Sequence, residues 1–513
     1  MLRGTIGVGV RNYASVLLAR DRSIPFGLPP CQPSLLHCSI SRGPRQHEFS
    51  KSIAGISSRT QCASSTVETP TQTQTPDSST PQNVAAVLRE RGLVESITSE
   101  EIDKAAMAQS LKVYCGFDPT ADSLHLGNLL GIIVLSWFQR CGHAPVALIG
   151  GATGRVGDPS GKSAERPVLS DEQIEGNVQG IKEVLRGILE RNAPEGAPPV
   201  AVLNNLDWFG GMGFLSFLRD VGKFARVGTM LAKESVKTRL ASESGISFTE
   251  FSYQLLQGYD FFYLCRKEGV RVQVGGSDQW GNITAGTELI RKLWNSEKDG
   301  EMPTSFGLTF PLLVDSDGKK FGKSEGGVLW LSADKVSPYK FYQYLFGTAD
   351  SDIIRFMKIL TFLPMQEIDQ MEKDMKSSGY VPNTLQKRLA EEVTRYVHGE
   401  AGLQQAIKTT EALKPGADTK LDGDALEAIA GDAPSATLPR DQVAGKSVVD
   451  IMVAVKMQPS KSAVRRLIKG GGVRVNNVQV KDETLCLNET DIIDGRLVLL
   501  ATGKKNKLLL QVE

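Results

Sequence analysis

The part of the chain that most restricts its fold runs from residue 111 to residue 274, where short apolar stretches alternate with helical periods. Apolar runs at 111–116, 144–149, 200–204 and 270–274 have the length of strands. Between them, 124–140, 174–191, 211–240 and 247–264 carry a helical repeat. The short runs are apolar nearly throughout rather than alternating, as in strands covered on both faces. Strands alternating with helices specify an α/β domain on a parallel sheet. Ligands of such sheets sit at the carboxyl ends of the strands, so chemistry is expected in the loops after 116, 149 and 274.

Two short motifs stand out, one inside that core and one beyond it. His125-Leu126-Gly127-Asn128 follows the first strand and opens a helix, where free backbone N–H groups and the helix dipole favour phosphate oxygens. Lys320-Phe321-Gly322-Lys323-Ser324 lies between Asp317-Gly318 and Gly326-Gly327, on a loop able to close two lysines over a triphosphate. Each motif alone recurs by chance; in this order they are the phosphate-handling elements of an enzyme that activates a carboxylic acid with ATP. A third glycine-rich stretch, 150–163, invites a P-loop reading that its spacing refuses. Gly157-x3-Gly161-Lys162-Ser163 is one residue short of the required GxxxxGK[ST]. It is read instead as a ligand wall presenting Asp158, Lys162 and Arg166; a tight turn would explain its glycines but not those charges.

The helical stretch at 247–264 bears on which acid is activated. Tyr253, Gln257 and Asp260 stand at i, i+4 and i+7 and share one face. On an isolated helix such a face is usually solvated; beside two ATP-handling motifs it suits a small polar ligand with an amine. Gln273 and the loop Gly275-Gly276-Ser277-Asp278-Gln279 follow the next strand. Beyond residue 66 the only histidines are His125, His143 and His398, with no HExxH and no metal-spaced cluster, which argues against a zinc hydrolase.

Outside the α/β core, residues 84–91 and 99–108 read as helices, the first ended by Gly92 and the second capped by Thr98 or Ser99. From 337 to 430 the pattern is helical without a convincing strand, and 431–444 reads as a linker. The last unit, 445–513, is small and basic. Lys461, Arg465, Arg466 and Lys469 cluster on a helix followed by an alternating strand at 473–480, and a basic tail, 504–507, comes later. A solvated helix explains any charge run, but this concentration in one small domain favours contact with a phosphate backbone.

The first 66 residues hold eight Lys/Arg against Asp21 and Glu48 and are rich in serine, the composition of an organellar transit peptide. Residues 67–84 then read as a Thr/Pro/Ser linker. The whole chain carries a charge of +1, so without that basic leader the body is near −5 and net charge points to no nucleic acid; only local patches do. The seven cysteines form no CxxC pair, which suits a reducing compartment, and no apolar run approaches the length of a membrane span.

The stretch from Val113-Tyr114-Cys115-Gly116-Phe117-Asp118-Pro119-Thr120 through His125-Leu126-Gly127, the 150–166 loop, the 248–260 helix, the 275–282 loop and Lys320–Ser324 together resemble the bacterial-type tyrosyl-tRNA synthetases, of class I. The resemblance runs from about residue 86 to the C-terminus, and with the leader is strongest to the organellar enzymes of plants. It implies a Rossmann-like parallel-sheet catalytic domain (85–335), an α-helical anticodon-binding domain (336–430) and a small α+β RNA-binding domain (445–513). It implies catalytic phosphate contacts from Thr120, His125, Lys162, Arg166, Lys320 and Lys323. Tyrosine would be bound by Tyr114 and Asp260 at its phenol and by Asp158, Tyr253 and Gln257 at its ammonium, with Gln273 and Gln279 nearby. Cys115, Gly116, Asp118, Gly127, Asn128, Asp278 and Ser324 would line the ATP side with His125 and the two motif lysines, and Lys461, Arg465, Arg466 and Lys469 would meet RNA. Mg²⁺ is expected to accompany ATP with no dedicated protein cage. The expected partners are tyrosine, ATP, tRNA(Tyr) and a second copy of the chain, in mitochondrion, chloroplast or both, with no membrane. Asn128 departs from the HIGH pattern and Phe321-Gly322 from the Met-Ser of KMSKS. A tryptophan-specific sister enzyme and a non-catalytic RNA-binding or splicing protein are the alternatives.

Overall fold

The computed structural model describes residues 82–513 apart from 163, 166, 168, 298–299, 325–326, 415–422, 424–425, 427–433 and 504–505. The leader (1–66), the linker up to residue 81 and the first two residues of the basic tail, 504–505, therefore lie outside the described residues.

Six strands form the main sheet: β1 (Ser96–Ile97), β2 (Lys112–Phe117), β3 (Ala144–Ile149), β4 (Ala201–Asn204), β5 (Val270–Gly276) and β6 (Phe306–Phe310). Their order is β1-β6-β5-β2-β3-β4. Five are mutually parallel, and the two-residue edge strand β1 runs antiparallel to β6. From β2 the chain winds outward through β3 and β4, then returns to β5 on the other side. The carboxyl ends of β2 and β5 thus flank the switch point where ligands of such sheets bind. Two strands escaped the sequence reading. β6 is a five-residue run buried at every position, too short to separate from its surroundings by period, and β1 exists only because β6 offers it an edge.

Side chains along β2 divide the core. Val113, Cys115 and Phe117 face one cluster, while Tyr114 joins Val146, Leu148 and Val270 in another. The first cluster holds α1 (Leu126–Arg140), which is buried along nearly its whole length. A helix apolar on all sides needs cover on all sides. One flank of α1 lies on the sheet and the other meets helices from beyond residue 338. Ser136 and Tyr396 share a 2.7 Å hydroxyl hydrogen bond, and the Trp137 and Phe362 rings lie 5.0 Å apart. The Arg91 guanidinium sits 4.1 Å above Trp137 and donates to the carbonyls of Lys358, Thr361 and Leu363. Burial pushes its pKa down to about 10, so it stays charged at neutral pH and offsets the dipole of the helix ending at Leu360. The second cluster is filled by α2 (Phe248–Tyr263) and α3 (Trp280–Glu297).

The stretch 211–240 is not one helix but three short ones, Phe214–Asp220, Val227–Leu231 and Glu234–Leu240. The first break begins at Gly222, a residue that costs helix stability, and the second falls at Lys233, whose backbone is extended. A fully buried pair, Arg239 with Glu250 at 2.6 Å, ties the last of them to the first turn of α2. These short helices leave Phe214, Leu215, Val227, Leu231, Leu240 and Phe248 exposed.

The helical region comprises α4 (Pro338–Phe346), α5 (Asp350–Leu360), Met365–Met375 and α6 (Thr384–Ala412), with no strand among its described residues. The final unit is a five-stranded mixed sheet with helices Val448–Ala454 and α7 (Lys461–Lys469) on one face. Here the linker reading of 431–444 needs correcting: Ser435–Leu438 is a strand, paired in parallel with Leu509–Val512. Its partner lies some seventy positions away, so local composition carries no trace of it. The other face of this sheet, through Leu497, Leu499 and Leu509, covers the end of α6. There Asn477 donates to the Ala412 carbonyl and Lys507 to that of Leu413 at 2.6 Å, capping the helix with a cation. The molecule is thus a class I parallel-sheet α/β domain, a helical domain and a small α+β domain in succession.

Candidate active site

A cavity of about 390 Å³ opens at the carboxyl ends of β2 and β5. Its wall includes every site residue proposed above for the catalytic domain except Arg166, which lies outside the described residues, and Ser324, whose side chain does too. The sequence separates these groups by up to about two hundred positions; the sheet brings them together.

The deep end is built by β2, β5 and α2. Tyr114, from β2, is 1% exposed, and its hydroxyl has no hydrogen-bond partner among the described residues. Asp260, from α2, is 2% exposed and accepts from Asn205 Nδ2 at 3.0 Å and from Trp208 Nε1 at 2.8 Å. Burial outweighs those donors and pushes the Asp260 carboxyl up to about 8. Burial, and next the charge of Asp260, hold the Tyr114 phenol well above its usual range. Gln257 Oε1 and Gln273 Oε1 are likewise buried without a partner among the described residues. Unpaired buried polar groups are rare, and three in one cavity mark a place built for a ligand with hydrogen-bonding ends.

Above this end the carboxylates are already organised. Tyr253 Oη donates to Asp118 Oδ2 at 2.7 Å, and Thr153 Oγ1 donates to Asp118 Oδ1 at 2.7 Å. Gln279 Nε2 donates to Asp158 Oδ2 at 2.8 Å, and the Ser160 N–H to Asp158 Oδ1 at 2.9 Å. Asn282 reaches Asp158, Ser160 and Gln279 from α3. Tyr253 therefore joins Asp118, which the sequence reading placed on the ATP side, to the face it shares with Gln257 and Asp260. Burial and the adjacent Asp118 charge raise its phenol well above the usual range.

The N-terminus of α1 forms another part of the wall, where phosphates are expected. His125 is its N-cap: Nδ1 accepts from the Gly127 N–H at 3.1 Å, while Asn128 Oδ1 accepts from the His125 N–H at 3.1 Å. This reciprocal pair is a capping box, and it gives Asn128 a structural task that its amide performs fully. Gly127 is required, since a Cβ there would stand 2.9 Å from the imidazole. Burial, and then the charges of Lys162, Lys323 and Lys320, lower the His125 pKa, so the ring is neutral at pH 7. With Nδ1 accepting, the proton sits on Nε2, leaving a neutral N–H donor.

Backbone pairing explains how the second motif reaches the first. Leu126 N–H donates to the Leu329 carbonyl at 2.9 Å and Leu331 N–H to that of Leu124 at 2.8 Å. The chain after Lys323 is thereby pinned beside His125, and Trp330 covers the imidazole with centroids 6.2 Å apart. Cys115 lines the same wall, but burial pushes its thiol up to about 12, which rules it out as a nucleophile at neutral pH.

Sequence reasoning missed Thr153, Asn205, Trp208 and Asn282. All four act through another side chain; Thr153 and Asn282 fall within loops already singled out but were given no role, and Asn205 follows a strand end. Beyond the cavity, Lys461, Arg465, Arg466 and Lys469 lie together on α7. Lys461 pairs with Asp450 at 2.6 Å, and Arg465 and Lys469 both face Glu483, at 3.8 and 3.3 Å. Among the described residues no group of three His, Cys, Asp or Glu is arranged to hold a metal, and no helix is long and apolar enough to cross a membrane.

Comparison with known proteins agrees with this geometry. Residues 106–413 match the family model of class I tRNA synthetases (W and Y), and residues 425–510 match that of the tyrosine–tRNA ligase SYY-like C-terminal domain. A chloroplastic/mitochondrial tyrosine–tRNA ligase of Arabidopsis thaliana is 56% identical over 469 residues, covering 91% of this chain and 90% of the relative. A tyrosine–tRNA ligase of Protochlamydia amoebophila is 55% identical over 430 residues, 84% of this chain and 99% of the relative. A C-terminally truncated mitochondrial tyrosyl-tRNA synthetase of Coccidioides posadasii superposes with a TM-score of 0.57 at 33% identity, covering 64% of this chain and 91% of that one.

The raised Asp260 pKa makes stability depend on pH. In the unfolded chain an aspartate ionises near 4, as a rough reference value. In the folded protein it stays protonated up to about 8. Its contribution is therefore fully present below about pH 4 and is lost as pH rises through about 8. Urea midpoints of the wild type should fall relative to those of Asp260→Asn across that window. A difference that stays flat from pH 4 to 8 would show that the carboxyl is ionised in the free site.

Proposed function

The chain belongs to the class I tRNA synthetases of the tryptophan and tyrosine group, and we propose that its cavity joins tyrosine to tRNA by the residue roles set out here. The activity is tyrosine–tRNA ligation. L-Tyrosine is activated with ATP to tyrosyl-adenylate, and the tyrosyl group passes to the 3′ end of tRNA(Tyr) in organellar translation. The basic, serine-rich leader and the organellar relative both support action in mitochondrion, chloroplast or both.

One observation carries the choice of tyrosine: a buried, unpaired Tyr114 hydroxyl shares the deep end of the cavity with Asp260. A phenol entering there pairs with both. Phenylalanine would leave two buried polar groups unsatisfied, the established basis on which tyrosine-specific synthetases reject it. An indole carries its N–H on a wider ring and matches this pair poorly. Asn205 and Trp208 hold the Asp260 carboxyl in place for that contact. The tyrosine ammonium is held by Asp158, Tyr253 and Gln257, with Asp118, Gln273 and Gln279 around it.

In the first step the tyrosine carboxylate attacks the ATP α-phosphorus and pyrophosphate leaves. No protein nucleophile takes part, so rate comes from positioning and from stabilising charge on the departing group. Thr120 and the His125 Nε2–H supply hydrogen bonds to the phosphates; Lys162, Arg166, Lys320 and Lys323 supply positive charge. A neutral His125 donates without adding a fixed charge that would hold the product back. Gly116, Gly127, Cys115, Asn128 and Asp278 border the nucleoside, and Ser324 continues the second phosphate loop. Mg²⁺ travels with ATP. Asp118 and Asp158 are occupied by protein donors, so the ion takes phosphate and water oxygens in preference to a protein cage.

The small terminal domain contacts tRNA phosphates through Lys461, Arg465, Arg466 and Lys469. Their surface ion pairs with Asp450 and Glu483 are weak and yield to phosphate. The exposed apolar residues Phe214, Leu215, Val227, Leu231, Leu240 and Phe248, concentrated in one stretch of chain, supply the contact of a homodimer.

Three measurements test these roles. ATP–pyrophosphate exchange should require tyrosine and show no response to tryptophan or phenylalanine, and Asp260→Ala should abolish it; tryptophan-dependent exchange would overturn the tyrosine assignment. Replacing Arg465, Arg466 and Lys469 together by alanine should raise KM for tRNA about tenfold and flatten its salt dependence, leaving exchange unchanged; unaltered charging would refute the RNA role. Leu215→Asp should convert a dimer to monomers in sedimentation, and an unshifted mass would place the interface elsewhere.

A further inference from the structure

The lysines of the second phosphate motif are carried on a loop whose supports come largely from the helical domain. Gly322 sits between those lysines with φ +95°, a conformation L side chains rarely adopt, and a Cβ there would stand 3.0 Å from Leu126. Its N–H donates to the hydroxyl of Tyr344, on α4, at 2.8 Å. Its carbonyl accepts from the Leu329 N–H at 2.9 Å, inside the strap pinned to α1. Phe321 packs between Tyr344 and Phe356 of α5, with centroids 5.1 and 4.4 Å away. Farther back on the loop, the Ser316 N–H donates to the buried Asp352 carboxylate at 3.0 Å, and Arg355 donates to the Val314 carbonyl. Two helices outside the catalytic domain thus grip the loop before and between its lysines.

We infer that Tyr344 is a positioning residue for pyrophosphate departure: its hydroxyl holds the left-handed turn at Gly322 that aims Lys320 and Lys323 at the cavity. Of the two N–H groups between the lysines, that of Phe321 donates to the Leu313 carbonyl at 2.9 Å and that of Gly322 to Tyr344, so the hydroxyl fixes the turn between the lysines rather than the loop as a whole. Phe321 supplies the apolar anchor that keeps the ring of Tyr344 against the turn. Without the hydroxyl, the Gly322 N–H loses its acceptor while the ring and the packing remain. Tyr344 does not line the cavity, so its effect on chemistry passes only through the lysines. This rests on the reading of Lys320 and Lys323 as phosphate contacts given above.

The test is a double-mutant cycle in ATP–pyrophosphate exchange on the full chain, with Tyr344→Phe, Lys323→Ala and the pair. Tyr344→Phe keeps the ring and should fold as the wild type does, which a matching melting curve would verify. We expect its kcat to fall about five- to tenfold with the KM for tyrosine within about twofold, the size of effect one lost hydrogen bond gives. In the Lys323→Ala background the same change should cost less than about twofold, because the group it positions is gone. A kcat for Tyr344→Phe within about twofold of wild type would overturn the inference. So would an equal loss in both backgrounds, or a tyrosine KM that rises in step with the fall in kcat. If Lys323→Ala itself exchanges at the wild-type rate, the phosphate role of the loop fails instead, and the two failures are told apart.

Discussion

Everything else in this structure depends on the burial of α1. A helix apolar on every side cannot face water, and the chain satisfies it by laying a sheet on one flank and the helical domain on the other. Its N-terminus opens into the cavity, and that end is where the phosphates are proposed to be held. The helix dipole, the Gly127 N–H and the imidazole it orients are consequences of one packing requirement. The same requirement draws residues near 90, 360 and 396 onto one surface, through Arg91, Phe362 and Tyr396. Catalytic and helical domains share a core there rather than a hinge.

The deep end of the cavity follows a different logic, in which polar groups are buried deliberately incomplete. Tyr114, Gln257 and Gln273 each carry an atom without a hydrogen-bond partner among the described residues. Asp260 is given two donors yet still resists ionisation. Such a site is costly when empty and is relieved by a ligand whose ends match, so part of the stability forgone in the free protein returns as selectivity on binding.

Much of this was legible in the sequence because it is local. The strands β2, β3, β4 and β5 are apolar runs, and Tyr253, Gln257 and Asp260 fall on one helical face by spacing alone. His125 and Lys320–Ser324 carry their own motifs. What could not be read is what depends on distant partners. β1 and Ser435–Leu438 are strands because of β6 and Leu509–Val512. Asn205, Trp208 and Asn282 matter only through Asp260 and Asp158. The segment 211–240 has helical composition, but it breaks at Gly222 and again at Lys233, and one buried ion pair, Arg239 with Glu250, ties its last piece to α2. Asn128, a departure in motif terms, proves to be an ordinary member of a capping box once the backbone around it is known.

The cap on α6 has a consequence for the order in which the molecule is made. The carbonyls of Ala412 and Leu413 receive their donors from Asn477 and Lys507, 65 and 94 positions later. A chain emerging from the ribosome presents its catalytic sheet, with every strand complete by residue 310, long before those donors exist. The end of α6 stays open until Lys507 has emerged, and only then can the terminal sheet close over it. Assembly of this molecule therefore runs from the parallel sheet outward, with the terminal sheet and its basic helix joined to the end of α6 last.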